Sequence, residues 1–205
     1  MARYTGPKNR LARRFGVNIF GRARNPLLHK PNPPGMHGAK RKKRSDFGLQ
    51  LEEQQKLRAS FGMISLGQTV RYYKEAAQSK QATPVAFIRC FECRLDVVVY
   101  RLKFASTIFG AQQLVSHGHI LVNGKKVDIR SFQVKPGMIV SVKPKSQNVD
   151  IIKKSLDSAR EIPEYLSQDA AKFSGQMEIL PELDQIPFVL PVNVPLICEF
   201  LAHTN

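Results

Sequence analysis

Thirteen lysine and arginine residues precede the first carboxylate of the chain, Asp46. They include Arg3, Lys8, Arg10, Arg13, Arg14 and the unbroken run Lys40-Arg41-Lys42-Lys43-Arg44. A segment without acids cannot relieve its self-repulsion through internal ion pairs, so counterions or a dense polyanion must do so. The chemistry it suits is phosphate neutralisation. Residues 94–145 form a second basic stretch, nine cations against two acids, with Arg94, Arg101, Lys103, Lys125 and Lys126 among them. Residues 46–93 are close to neutral, whereas residues 146–205 hold four basic and nine acidic side chains. This sorting, under a net charge of +16, implies one side facing a polyanion and another turned to water or protein. Nucleic acid is the leading partner.

Other residue types offer less. Cys90-Phe91-Glu92-Cys93 has the spacing of half a zinc site, but a tetrahedral site needs two more ligands, and the nearest donors are His117 and His119. Cys90 also falls within an apolar helical pattern, so both thiols read as small core residues. Three cysteines without an export signal imply reduced thiols. His117-Gly118-His119 reads as a helix end whose imidazole bonds backbone or contacts RNA. Asp96 and Asp128 suit a helix start and a turn, and there is no Gly-Lys-Ser or Gly-Lys-Thr phosphate loop. Neither catalysis, a cofactor nor a metal is expected. No apolar run reaches the roughly 18 residues of a membrane span, and the start lacks a signal-peptide core. The chain is expected to stay in the compartment where it is made, away from membranes.

The elements that position these residues follow from caps and periodicity. Residues 1–44 are punctuated by Gly and Pro with weak periodicity, as in an extension that orders on its partner. Ser45-Asp46 starts a helix. Ser65 and Gln68 have capping-box spacing before Leu66, Val70, Tyr73 and Ala77. Thr83-Pro84 reads as a cap and first-turn proline ahead of Val85, Ile88 and Phe91. From Arg94 the pattern tightens. Leu95, Val98, Val99, Leu102 and Ala105 share one helical face, and Arg94 and Arg101 another. Thr107 caps a short helix with Ala111, Leu114 and Val115, which Gly118 ends in the left-handed conformation. Ile120-Leu121-Val122, Asn123-Gly124 and Lys125-Lys126-Val127 predict a hairpin with a type I′ turn. Met138, Val140 and Val142 alternate as in a half-buried strand, and Asn193 caps a last helix carrying Leu196, Ile197, Phe200 and Leu201.

Two runs carry a family resemblance. Arg94-Leu95-Asp96-x-Val98-Val99-Tyr100-Arg101-Leu102 and Gln113-Leu114-Val115-x-His117-Gly118-His119-Ile120-x-Val122-Asn123-Gly124 resemble the RNA-binding module of the small-subunit ribosomal protein four family. Met1-Ala2-Arg3-Tyr4-x-Gly6-Pro7, Pro33-Pro34-Gly35-x-His37-Gly38, Gln55-Lys56-Leu57-Arg58 and Leu190-Pro191-Val192-Asn193 extend the likeness, in order, over nearly the whole chain. The resemblance implies an α+β fold: a basic extension (1–44), a small helical domain (45–93 completed by 176–205) and an inserted mixed α/β module (94–175) of two helices and short antiparallel strands.

Function follows from the same likeness: a structural constituent of the small ribosomal subunit, cytoplasmic or plastid. It would bind the five-prime domain of small-subunit rRNA, nucleate assembly of the subunit body, line the mRNA entrance and touch neighbouring ribosomal proteins at an interface linked to decoding accuracy. RNA contact is expected from Arg3, Tyr4 by stacking, Lys8, Arg10, Arg13, Arg14, Lys40 to Arg44, Arg94, Arg101, Lys103, His117, Lys125 and Lys126. The run from Lys40 to Arg44 would grip mRNA or anchor rRNA. Two departures stand out. Many members carry four zinc-binding cysteines in the extension, two of them near Asn9 and Ala12 here, and those ligands are absent. In the module's short helix Ile108 and Gln112 replace common arginines, so Ile108 and Phe109 are expected to be buried or to face a protein. The alternatives are a non-ribosomal RNA chaperone and an RNA-modification factor, the latter lacking room for a catalytic domain.

Overall fold

The computed structural model describes residues 4–21, 24–40 and 43–204. It divides into two compact units, one made of Met1–Gln78 with Phe188–Asn205 and the other of Ser79–Pro187. The chain thus leaves the first unit, builds the second, and returns.

In the first unit, α1 (Lys8–Phe15) precedes α2 (Asp46–Ser60) and α3 (Leu66–Ala77), and the returning segment ends in α8 (Val194–Thr204). Ser45 accepts the Gly48 amide at 3.2 Å and fixes the start of α2. Ser65 does the same for the Gln68 amide at 3.3 Å, and the Gln68 side-chain Nε2 is buried without a hydrogen-bond partner. Asn193 caps α8 through the Leu196 amide at 3.1 Å, while its own amide donates to the Glu53 carboxylate on α2 at 2.9 Å. Both α2 and α3 pack on α8, and the α8 residues Ile197 and Leu201 are fully buried. The extension holds secondary structure and buried residues of its own. It contains α1, which weak apolar periodicity concealed, and it buries Ala12, Ile19 and Phe20.

The second unit opens with α4 (Thr83–Glu92), α5 (Leu95–Arg101) and α6 (Ile108–Ser116). Thr83 is the first residue of α4 rather than its cap; Ala82 holds the cap position and makes no side-chain bond there. Thr107 caps α6 through the Gly110 amide at 3.1 Å, and Gly118 takes φ 71° just beyond its end. A five-stranded antiparallel sheet follows: β1 (Ile120–Val122), β2 (Lys125–Lys126), β3 (Ile139–Val142), β4 (Leu166–Asp169) and β5 (Ser174–Met177), in the order β2-β1-β3-β5-β4. The hairpin register is Leu121↔Lys126 and Val122↔Lys125. Positive φ at Asn123 (48°) and Gly124 (76°) supplies its turn. Helix α7 (Asp150–Leu156) joins β3 to β4.

One core unites these pieces. Leu95, Val98, Val99, Leu102 and Ala105 from α5 and the residues after it meet Ala111 and Val115 of α6, Val140 and Val142 of β3, and Ile152, Tyr165 and Met177 beyond. Gly175 on β5 admits this packing, since a Cβ there would lie 2.5 Å from Leu102 Cδ2 and 2.8 Å from the Ser167 carbonyl oxygen. The compact unit is wider than the expected 94–175 span because α4 and the segment after β5 are tied to it. The Gln133 side chain donates to the Cys90 carbonyl at 3.0 Å, and Arg89 donates to the Pro181 carbonyl at 2.8 Å.

Candidate nucleic-acid interface

Two surfaces, one on each unit, carry the expected cations. On the first, Pro7 precedes α1 and Gly16 closes it at φ 70°. The helix exposes Arg10 and Arg14, the latter 5.8 Å over the Phe15 ring, and leaves Lys8 half-buried. Arg13 turns to the loop opposite. Its Nε donates to the Lys30 and Asn32 carbonyls, each at 3.0 Å, and Nη2 to the Pro33 carbonyl at 3.4 Å. This fastening joins α1 to the 30–33 segment. Among the described residues no group of three His, Cys, Asp or Glu side chains is placed to hold a metal ion. Ala12 is buried. Tyr4 folds over Gly6, whose added Cβ would meet the Tyr4 hydroxyl at 2.5 Å.

Lys40 and Lys43 are exposed, and Arg44 pairs with Glu52, so part of the repulsion before α2 is relieved within the chain. Arg3, Arg41 and Lys42 lie outside the described residues.

The second unit turns two of the expected cations inward. Arg94 is only 3% exposed; its Nε and Nη2 clasp the two carboxylate oxygens of Asp96 at 2.9 and 2.7 Å. Asp96 is fully buried, and burial pushes its pKa upward against the pull of Arg94. Arg101 is likewise turned inward. Nε and Nη2 donate to Glu92 at 2.6 and 3.3 Å, Nη1 to the Pro187 carbonyl at 3.1 Å, and the Tyr165 hydroxyl donates to the same carboxylate at 2.5 Å. Burial works against the Arg101 charge, but the Glu92 carboxylate outweighs it and holds the guanidinium protonated. Burial, and then the Glu92 charge, raise the Tyr165 pKa, so the hydroxyl stays a donor. Both arginines serve buried ion pairs, because each meets a carboxylate that would otherwise be buried alone. Neither is presented to a phosphate.

Lys103 is half-buried at φ 59°, with Nζ bonded to the Ser158 carbonyl at 3.2 Å. Lys125 and Lys126 remain exposed. The Lys126 stem crosses Gly118, where an added Cβ would sit 2.2 Å from Cε, and its ammonium lies 3.8 Å from Asp128. His117 is exposed, and His119 shares a 2.8 Å hydrogen bond between Nδ1 and Ser146 Oγ. The Lys143 amide donates to the His119 carbonyl at 2.8 Å, which brings Lys143 and the exposed Lys145 to the same end of the sheet. Those two lysines flank Pro144 just past an apolar strand, a signal that sequence reading passed over. Ile108 is buried, as is Gln112, so α6 directs these positions inward.

Exposed cations at α1 and at one sheet end give this α+β chain two surfaces suited to a polyanion, while its deepest carboxylates are paired with internal arginines. Residues 93–140 match the model of the S4 domain, and residues 3–92 match that of the Ribosomal protein S4/S9 N-terminal domain. The chain is 63% identical over 206 residues to "Small ribosomal subunit protein uS4" of Protochlamydia amoebophila, covering 100% of both. It is 61% identical over 207 residues to the protein of that name from Chlamydia trachomatis serovar L2, and 56% identical to that of Chlamydia felis, covering 99% of each chain. The chain belongs to the uS4 family of small ribosomal subunit proteins.

Proposed function

We propose that this chain is a structural, non-catalytic constituent of the small ribosomal subunit that binds small-subunit rRNA directly and touches neighbouring ribosomal proteins. The carrying observation is end-to-end similarity to uS4 proteins, at 63% identity over 100% of both chains. The exposed cations supply the mechanism. Lysine and arginine neutralise phosphates with release of condensed counterions, and RNA shape supplies the selectivity. Lys8, Arg10 and Arg14 on α1, with Lys125, Lys126, Lys143, Lys145 and His117 on the second unit, are the side chains available for it. Among the described residues no helix is long and apolar enough to cross a membrane. The relatives named above are bacterial, and the reading places this protein in cytoplasmic ribosomes.

The finer reading assigns the rRNA contact to the five-prime domain, with early binding that nucleates the subunit body, and treats residues 94–175 as the inserted RNA-binding module. The cations from Lys40 to Arg44 then grip incoming mRNA at its entrance without reading sequence, and the protein contacts tune decoding accuracy. Sedimentation tests the first claim: the chain remains with small subunits after a high-salt wash, and release by that wash overturns it. Replacing all five cations of the run by Gln tests the second. Subunits assemble normally but unwind structured messenger less well; failure to assemble, or unimpaired unwinding, overturns the entrance role.

A further inference from the structure

The extension contains a preformed cleft that phosphate neutralisation does not require. Arg13, His29, Pro31, Asn32, Pro33 and Met36 are among its walls, and its volume is about 330 Å³, at the small end of the roughly 300–1,000 Å³ range of ligand sites. Its shape is built in. The three Arg13 hydrogen bonds hold the carbonyls of residues 30, 32 and 33. Gly35 adopts φ 109°, and Gly38 approaches the loop so closely that a Cβ would lie 2.0 Å from the Pro33 carbonyl oxygen. Only glycine fits there. Arg24 aims Nε and Nη2 at His29 Nε2, at 3.2 and 3.0 Å, and so orients the imidazole. Since Nε2 is the acceptor in these bonds, Nδ1 of a neutral ring carries the proton.

The lining is of two kinds. Proline rings, an imidazole plane and the thioether of Met36, which is 92% exposed, offer apolar faces to a flat aromatic group. The Asn32 amide offers a donor and an acceptor, and exposed Lys30 adds positive charge. No carboxylate precedes Asp46, so the occupant favoured here is anionic as well as flat. We propose that this cleft takes a single unpaired base of small-subunit rRNA, stacked against His29 and Met36, with its phosphate on Lys30. Base-specific RNA recognition uses unstacked bases held in this manner. The extension therefore reads a nucleotide as well as neutralising phosphates. This inference rests on the rRNA-binding reading above.

The test uses the full chain with small-subunit rRNA at pH 8. Ultraviolet crosslinking and mass spectrometry of the parent complex give a nucleotide adduct on the peptide spanning residues 29–39. The double variant His29→Ala/Met36→Ala, both exposed side chains, binds about 5-fold to 150-fold more weakly, the effect of losing one stacked base. The slope of log K against log salt stays unchanged, because no phosphate contact is removed. Adducts confined to other peptides, a loss smaller than fivefold, or a shallower salt slope overturns the base cleft while leaving rRNA binding intact. No binding of rRNA by the parent overturns the ribosomal reading and this inference together.

Discussion

Replacing Glu92 by Gln should strand a charge inside the second unit. The Glu92 side chain is 0% exposed and that of Arg101 13%, so water offers the pair little compensation. In the parent the carboxylate accepts two bonds from Arg101 and one from Tyr165. Glutamine keeps one neutral acceptor for Arg101 and Tyr165 to share but turns its amide donor toward a group that is itself a donor, and the guanidinium loses its compensating charge while keeping the Pro187 carbonyl. Removing one member of a buried ion pair costs about 3–5 kcal/mol. At roughly 2–4 °C per kcal/mol for chains of this size, Tm falls by about 6–20 °C. Urea denaturation followed by circular dichroism measures it, with Glu75→Gln as the control. That carboxylate pairs with Arg71 across α3, but the two side chains are 50% and 65% exposed, and its loss costs about 0.3–0.5 kcal/mol. Replacing Glu92 and Arg101 by Met and Tyr165 by Phe together restores most of the stability, since a well-packed apolar trio leaves no charge unpaired. A loss below about 1 kcal/mol for Glu92→Gln would refute the buried-pair reasoning.

Salt dependence separates inward from outward cations. Arg10→Gln and Lys125→Gln each make the slope of log K for rRNA against log salt shallower by about 0.7–0.9, whereas Arg94→Gln and Arg101→Gln lower thermal stability and leave that slope alone. Burial pushes the Cys93 thiol up to about 12 and the Cys198 thiol up to about 11, from an ordinary value of 9.0. Keeping these groups neutral gives a contribution that is complete below pH 9.0 and lost as pH rises, because the unfolded chain ionises first and gains the advantage up to the folded values. Tm therefore declines from about pH 9 upward, and native-state alkylation at pH 8 modifies Cys93 more slowly than the same thiol in urea; equal rates would contradict the assignment. Gly175→Ala forces β4 and β5 or Leu102 to move, and its Tm drops by more than that of Gly67→Ala, where a Cβ meets nothing within 4 Å.

Local signals carried much of the fold. The caps at Ser45, Thr107 and Asn193, the αL glycine at Gly118 and the Asn123-Gly124 turn are each set by bonds spanning a few residues, so sequence spacing sufficed to place them. The apolar face of α5 was equally legible, since a helix repeats its own geometry. The charge gradient toward Asp46 and the likeness over the whole chain already pointed to rRNA. What the sequence could not show was which cations face outward. Arg101 reads from the sequence as one more cation, yet its destination depends on Glu92, Tyr165 and the Pro187 carbonyl, the last two separated from it by long stretches of chain, while Arg94 turns onto the buried carboxylate of Asp96. The strand β5, with sequence Ser-Gly-Gln-Met, has little strand propensity of its own; it exists because β3 and β4 flank it and Leu102 fills the space above Gly175. The same holds for Arg13. Composition marked it as one more phosphate ligand, and only the return of the chain through residues 30–33 supplied the three carbonyls that claim it. Charge and periodicity are properties of a segment, whereas the partner that consumes a buried charge is a property of the closed fold.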